Sequence, residues 1–366
     1  MDTPETILKT PLYQKHVDNG GKIVPFAGYY LPVQYSGVIA EHNAVRNAVG
    51  LFDVSHMGEV SFVGPDALKC LNHLLCNSYD TLAVGRVRYS PMLNAQGGVV
   101  DDVLVYRMGD DDYLMVVNAA NRYKDVKHIL ANMVGNVAIK DISDDVCQLA
   151  LQGPKAEAVM ETLVDRSLIP QKYYSFTPDV NVGGVKCLLS RTGYTGEDGF
   201  ELYASKNDAE KLFDLLLEAG KPFGLTLCGL GCRDTLRMEA AMPLYGHEMD
   251  DAVSPMETGL GRYVKMEKPE FIGRDALAAS GEPRRARIGL KVTGRGIARE
   301  HFPVYRNGKQ IGMTTSGTHC PTVGAPVAMA LVEAPYQTVG DKLQVDIRGK
   351  LVDAEIVALP FYSRQK

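Results

Sequence analysis

The stretch Gly97–Tyr106 places two adjacent aspartates, Asp101 and Asp102, between runs of valine. A glycine pair suited to a turn precedes the β-branched residues, and this combination predicts a strand that enters a hydrophobic core. Because successive side chains of a strand point to opposite faces, the two carboxylates are poorly placed to act together on one substrate. A carboxylate within an apolar strand is costly to bury without hydrogen bonds, a cation or a ligand. We therefore expect one of the two aspartates to be either functional or a structural cap.

The chain has 366 residues, 45% of them hydrophobic, and this length is enough for two or three domains. Its formal net charge of -5 at pH 7 provides no global attraction to nucleic acid or to an anionic membrane. Seven cysteines are scattered without a C-x-x-C pair or a zinc-like cluster, so we expect reduced thiols, no bound metal and a cytoplasmic location. The amino terminus lacks the features of a signal peptide, and no apolar run is long enough to span a bilayer.

Periodicity and turn residues predict several elements. Apolar spacing indicates helices over residues 207–219 and 229–241, the first with Asn207 as its N-cap. A hairpin is expected at residues 109–112, directly after the aspartate strand. From residue 280 onward, short apolar strands alternate with turns, which predicts a separate β-barrel or sandwich of ~85 residues.

The segment Ser190–Leu202 carries three glycines at a spacing of three. This pattern is typical of a tight loop between strands and differs from a dinucleotide-binding fingerprint. Tyr194 and Glu201 flank the loop. If the segment folds back on itself, an aromatic ring for stacking and a carboxylate that accepts paired N–H groups would converge. The alternative is a plain turn with a surface glutamate, which composition alone favours.

Ordered motifs along most of the chain resemble the aminomethyltransferase (T protein) family of the glycine cleavage system. The motifs are Val24–Gly28, Gly50–Glu59, Gly97–Asp102, Arg191–Glu201 and Arg233–Ala240. The resemblance implies an α+β fold, a cloverleaf of interleaved mixed α/β subdomains around a central folate cavity, plus a C-terminal β-barrel. The implied domains are residues 1–279, with a second interleaved subdomain at roughly 53–140, and residues 280–366.

The resemblance also implies a reaction. The aminomethyl carbon on the dihydrolipoyl arm of the lipoylated H protein passes to tetrahydrofolate, a co-substrate, and gives 5,10-methylenetetrahydrofolate and ammonia. Asp102 is the implied catalytic carboxylate, which would stabilise an iminium-like carbon and orient the attacking amine. Glu201 suits the adjacent N–H donors of a pterin, and Arg233 suits a carbonyl or a carboxylate. The implied folate-binding residues are Met57, Asn118, Tyr194, Glu201, Arg233 and Tyr362.

Two alternative functions stay open at this point. A tetrahydrofolate-dependent demethylase on the same scaffold would use nearly the same folate cavity, but it needs only a small pocket and no docking face for a lipoyl arm. A non-enzymatic folate-binding factor for iron–sulfur assembly would carry a cysteine in the motif that corresponds to Arg191–Asp198, and this chain has none there. The chain also contains no Trp, and Arg262 follows a Gly-Leu-Gly triplet where family members often carry an aromatic residue. A basic cluster of Arg284, Arg285 and Arg287 is the candidate docking surface for an acidic H protein.

Overall fold

The computed structural model describes residues 6–364, which form mixed helices and strands. In chain order, the strands are β1 (Leu8–Lys9), β2 (Lys22–Phe26), β3 (Tyr29–Gln34), β4 (Val49–Asp53), β5 (Gly58–Val63), β6 (Val87–Leu93), β7 (Val99–Arg107), β8 (Asp112–Val117), β9 (Ala138–Asp141), β10 (Val146–Gln152), β11 (Phe176–Val182), β12 (Val185–Ser190), β13 (Gly199–Ser205), β14 (Leu225–Leu227), β15 (Arg285–Val292), β16 (Pro303–Arg306), β17 (Lys309–Cys320), β18 (Ala325–Glu333), β19 (Lys342–Asp346) and β20 (Leu351–Val357). The helices are α1 (Tyr13–Asp18), α2 (Val38–Asn47), α3 (Ala67–Leu74), α4 (Arg122–Ala131), α5 (Ala156–Glu161), α6 (Ala209–Gly220), α7 (Leu230–Glu239) and α8 (Arg274–Ser280).

The chain divides into two compact units, and each is assembled from separate segments. The first unit comprises the described residues up to Leu74, then Ser78–Ser90 and Val103–Arg233. The second unit comprises Leu75–Asn77, Pro91–Asp102 and the described residues from Asp234 onward. The domain bounds at residues 279 and 280 stay a prediction.

The first unit contains a six-stranded sheet with the strand order β11-β12-β13-β10-β4-β14. Along its neighbouring strands β10 and β13, every second residue enters one hydrophobic core, as the period of two in a strand requires. Residues of these two strands in that core are Cys147, Leu149, Leu151, Phe200, Leu202 and Ala204. The intervening residues therefore lie on the opposite face, and they include the polar side chains of Gln148, Glu201 and Tyr203.

A five-stranded sheet has the order β6-β7-β8-β5-β9. The hairpin between β7 and β8 pairs antiparallel from Leu104 with Val116 to Arg107 with Tyr113, which confirms the turn predicted at residues 109–112. Within the first unit, side chains of this sheet share a small hydrophobic cluster with Tyr203 of the six-stranded sheet. This cluster places the polar face of the six-stranded sheet next to the five-stranded one.

The C-terminal strands close into a barrel with the order β15-β18-β17-β16-β19-β20. Closure leaves no free sheet edge, and alternate residues such as Leu290, Val332 and Ile356 fill the interior. The mixed α/β fold and the C-terminal barrel predicted from the sequence are confirmed.

Helix α6 begins two residues later than its predicted N-cap, Asn207. Asn207 lies in a short 3-10 turn, Lys206–Asp208, and its N–H donates to Oγ of Ser205 at 3.3 Å. Ser205 ends β13 with an extended backbone and caps this 3-10 turn, whereas the N-cap position of α6 is Asp208. The predicted cap was therefore wrong, although the helix itself is confirmed. Among residues 6–364, none of the helices has the length and apolar character needed to cross a bilayer.

We predict that Gly98→Ala destabilises the protein. A Cβ at Gly98 would lie 1.9 Å from the carbonyl oxygen of Asp251, so the turn that starts β7 would have to move. We expect a loss of about 1–3 kcal/mol in the free energy of unfolding, typical of overpacking. Gly109→Ala is the matched control, because a Cβ there meets only Asp112 at an ordinary 3.5 Å. Urea unfolding checks this, and equal midpoints for the two variants would contradict it.

Candidate active site

The carboxylate of Glu201 is 7% exposed and lies on the face of β13 opposite the hydrophobic core. One oxygen accepts a hydrogen bond from Thr192 Oγ1 at 2.6 Å, and the other accepts one from Gln148 Nε2 at 3.0 Å. Burial raises the pKa of Glu201, whereas Thr192, the charge of Arg233 and Gln148 act in the opposite direction. A carboxylate can accept about four hydrogen bonds, so Glu201 retains acceptor capacity for a ligand.

A chain of neutral polar groups supports Glu201. Gln148 Nε2 also donates to the Tyr203 hydroxyl at 3.0 Å, and Tyr203 is hydrogen-bonded to Tyr106 at the same distance. Ser190 Oγ donates to the Tyr106 hydroxyl at 3.2 Å. Burial raises the pKa of Tyr106 and Tyr203, so both phenols stay neutral. These hydrogen bonds fix the donors that face Glu201.

Gln148 and Thr192 were missed by sequence reasoning. The Nε2 atom of Gln148 donates to two groups, and this fixes the orientation of the amide. Its Oε1 atom is buried and has no hydrogen-bond partner among residues 6–364. An amide in the middle of the apolar run Cys147–Leu151 was the available signal, but the residue that it faces depends on strand register.

Arg233 lies in the first turn of α7, with its guanidinium carbon 4.8 Å from the centre of the Tyr194 ring. This is a cation–π contact between two of the predicted folate-binding residues. Burial lowers the pKa of Arg233, while Tyr194 and Glu201 act against that shift. Within the described part of the chain, the guanidinium makes no hydrogen bond or ion pair. Its N–H donors therefore suit a carbonyl or carboxylate ligand.

His56 is 3% exposed, and its Nδ1 has no partner among the described residues. Its ring makes edge contacts with Phe26 and Tyr29, at centroid distances of 6.0 and 6.3 Å. Burial lowers the pKa of His56 to about 4, and the charge of Arg233 adds to this shift. His56 is thus a neutral imidazole at pH 7, within electrostatic range of Arg233.

Two further predicted residues also belong to the first unit. Met57 is partly buried and packs against the small hydrophobic cluster that contains Tyr106 and Tyr203. Asn118 is partly exposed and directly follows β8, where its carbonyl oxygen accepts from the N–H of Asn121 at 2.9 Å. Met57 therefore adjoins the polar network around Glu201, whereas the carbonyl of Asn118 closes a turn before α4.

Asp102 and Tyr362 belong to the second unit. In β7, Asp101 is fully buried whereas Asp102 is partly exposed, so the alternation predicted for the aspartate pair is confirmed. The N–H of Tyr362 donates to the carbonyl oxygen of Glu239 at 2.8 Å. Of the two aspartates, only Asp102 has the exposure that contact with a substrate requires.

The basic cluster near residue 285 is largely occupied. Arg285 donates to both oxygens of Glu257, at 2.8 and 2.9 Å, and Arg287 donates to the carbonyl oxygen of Ala241 at 3.1 Å. Arg284 is exposed, and the side chain of Arg285 is 41% exposed although it is paired with Glu257. Two of the three arginines expected to form a docking surface are therefore already engaged with other groups of the protein.

Comparison with known proteins decides the family. Residues 12–268 match the family model described as the GCVT N-terminal domain, and residues 285–363 match the glycine cleavage T-protein C-terminal barrel domain. This chain belongs to the glycine cleavage T-protein family.

Relatives of this T-protein family member match it along nearly its whole length. An aminomethyltransferase of Moorella thermoacetica is 51% identical over 361 residues, which cover 98% of each chain. An aminomethyltransferase of Bacillus cereus is 45% identical over 365 residues, which cover 99% of this chain and 100% of the relative. The crystal structure of glycine cleavage system aminomethyltransferase T from Bartonella henselae superposes with a TM-score of 0.90 at 32% identity, covering 98% of each chain.

We predict that His56 lowers stability in acid. Because the folded pKa of about 4 lies below the ordinary 6.5, the unfolded chain binds the proton more readily. The stability contributed by neutral His56 is complete above the unfolded pKa and is lost as the pH falls toward the folded one. Between about pH 7.5 and pH 5 this loss is about 2 kcal/mol.

Urea unfolding of the wild type and of His56→Gln at the two pH values measures this loss. The variant should show a pH dependence smaller by about 2 kcal/mol, because glutamine does not titrate. An identical pH dependence in both proteins would contradict a buried, neutral His56.

Proposed function

We propose that this chain is the aminomethyltransferase of a glycine cleavage system. It transfers the aminomethyl carbon from the dihydrolipoyl arm of a lipoylated H protein to tetrahydrofolate, and the products are 5,10-methylenetetrahydrofolate, ammonia and the reduced lipoyl arm. Two relatives named aminomethyltransferase, 45–51% identical along nearly the whole chain, support this reaction. All seven cysteines are buried, which suits the reducing cytoplasm that we propose as its location.

The observation that carries the folate half of the proposal is the incompletely satisfied carboxylate of Glu201. The edge of a pterin offers adjacent N–H donors, and a carboxylate is the matching two-pronged acceptor. Thr192 and Gln148 hold that carboxylate in place before a ligand arrives, so little reorganisation is needed on binding. Arg233 would donate hydrogen bonds to a carbonyl or carboxylate of the same molecule, while the Tyr194 ring contacts its guanidinium. Met57, Asn118 and Tyr362 complete the proposed folate-binding set.

The proposed catalytic group is Asp102. Transfer breaks the bond between the aminomethyl carbon and the lipoyl sulfur, joins that carbon to two folate nitrogens and releases ammonia. The two protons that the folate nitrogens lose go to the sulfur and to the ammonia. The carbon becomes iminium-like as it leaves, and a negative charge at Asp102 would stabilise it. The same carboxylate can accept a hydrogen bond from the attacking amine and orient it.

A reconstituted assay tests the proposed function. Aminomethylated H protein and tetrahydrofolate are supplied together, and each is then omitted in turn. We expect methylenetetrahydrofolate only when both are present. Turnover with a methylated sulfonium or amine in place of H protein would point to the demethylase alternative, and folate binding without turnover on any donor would point to a non-enzymatic factor.

We predict that Asp102→Asn slows transfer by about 10²–10³-fold, the range for loss of one preorganised electrostatic group. Folate affinity should change much less, because the pterin is recognised by other residues. Single-turnover transfer from aminomethylated H protein measures the effect. Asp101→Asn is the matched control: it can lower stability, but the folded fraction should keep the chemical step. Loss of transfer in Asp101→Asn together with retention in Asp102→Asn would reverse the assignment.

We predict that Glu201→Gln weakens tetrahydrofolate binding by about 1.5–3 kcal/mol, because the amide loses the charge and one acceptor. Calorimetric titration of the folded variant measures the change. Glu355→Gln, on the outside of the C-terminal barrel, is the control and should bind as the wild type does. An unchanged affinity in Glu201→Gln would remove this residue from the site.

A further inference from the structure

We propose that helix α2 (Val38–Asn47) is a positioning element that sets the placement of Arg233 relative to Tyr194. This inference rests on the proposed function, because that function gives the Arg233–Tyr194 pair its role in binding folate. Two buried charged side chains of α2, Glu41 and Arg46, each hold the segment that carries one member of the pair. All of these residues belong to the first unit.

Glu41 holds the start of α7. Its carboxylate is fully buried and accepts from three backbone N–H groups. One oxygen accepts from Tyr35 at 2.6 Å and from Gly37 at 3.1 Å, and the other accepts from Gly229 at 2.9 Å. Gly229 immediately precedes α7, whose first turn carries Arg233. Charge-assisted hydrogen bonds of this kind are strong in a buried setting, so Glu41 fixes the origin of that helix.

The start of α7 has little room to shift. A Cβ at Gly229 would lie 2.5 Å from the carbonyl oxygen of Val33 and 2.6 Å from the backbone nitrogen of Gln34. The backbone of α7 therefore approaches β3 more closely than any other residue type at position 229 would allow. Glu41 and this close approach together fix the position of the first turn of α7, which carries Arg233.

Arg46 holds the loop that carries Tyr194. Its Nη1 donates to the carbonyl oxygen of Thr195 at 2.8 Å and to Glu197 at 2.9 Å. The side chains of Arg46 and Glu197 are 4% and 5% exposed, so this ion pair is buried. Removing one partner of such a pair is costly, because the other charge is left uncompensated. Tyr194 precedes Thr195 directly, so Arg46 ties the tyrosine's loop to α2.

Helix α2 is thus attached both to the segment that carries Arg233 and to the loop that carries Tyr194. Positions 41 and 46 are about 7.5 Å apart along the axis, at 1.5 Å per residue. The guanidinium carbon of Arg233 lies 4.8 Å from the centre of the Tyr194 ring, whereas Glu41 and Arg46 are bonded to other groups of the protein. Loosening either attachment should therefore misplace the pair and weaken folate binding from a distance, because small displacements of binding groups are costly.

The test uses Arg46→Lys and Glu41→Gln. Lysine retains the charge of Arg46 but lacks the guanidinium, and glutamine presents an NH₂ group to one of the N–H donors now bound by Glu41. We expect each variant to raise the calorimetric Kd for tetrahydrofolate by about 5–20-fold. The rate of transfer at saturating folate should change by less than about threefold, because Asp102 is untouched.

A double-mutant cycle separates positioning from general structural support. In a Tyr194→Leu background the pair no longer exists, so Arg46→Lys should raise the Kd further by less than about twofold. Glu41→Gln acts on the segment of Arg233, so it should raise the Kd by less than about twofold in an Arg233→Met background, and it serves as the test if Arg46→Lys fails to fold. Arg285→Lys, which alters the two-pronged pair with Glu257 in the second unit, is the matched control and should leave the Kd unchanged.

Three outcomes are distinguishable. A wild type that does not bind tetrahydrofolate overturns the proposed function. A wild type that binds, with losses that add fully for Arg46→Lys in the Tyr194→Leu background and for Glu41→Gln in the Arg233→Met background, overturns only the role of α2. Losses that nearly vanish in those matched backgrounds, with thermal melts confirming that every variant is folded, support α2 as the positioning element.

Discussion

A buried carboxylate must be compensated inside the protein, and the arrangement around Glu201 follows from that requirement. The period of two along β13 sends Phe200 and Leu202 into the hydrophobic core and leaves Glu201 on the opposite face. Neutral donors from β10 and from the loop after β12 then satisfy part of its hydrogen-bonding capacity. The remaining capacity is what a ligand with paired N–H groups would use, so folding and recognition depend on the same group.

Glu201 and Arg233 differ from several other buried charged residues, which form ion pairs with one another. The pairs Arg46–Glu197, Arg122–Asp141 and Arg237–Glu248 each have both side chains at most 5% exposed. Glu201 and Arg233 take part in no ion pair within residues 6–364, and they affect each other only through their charges. Buried ion pairs stabilise the frame, whereas charges left without a direct partner mark where a polar ligand would bind.

Local patterns predicted much of the fold, and long-range register explains what they missed. The opposite environments of Asp101 and Asp102 follow from strand geometry alone, and turn residues located the hairpin after β7. The partners of Glu201 depend on the register of β10 against β13, across about 50 residues of chain, which no local pattern encodes. Likewise, Glu257 engages Arg285 from a separate part of the sequence, so the basic cluster could not be recognised as occupied.

Recognition of the pterin of tetrahydrofolate by Glu201 is tested most directly by a crystal structure of the wild-type protein with tetrahydrofolate bound. We expect two adjacent N–H groups of the pterin within about 3.2 Å of the Glu201 oxygens, with Arg233 bound to a carbonyl or carboxylate of the same molecule. A bound tetrahydrofolate whose pterin contacts other residues, with Glu201 retaining only Thr192 and Gln148, would contradict it.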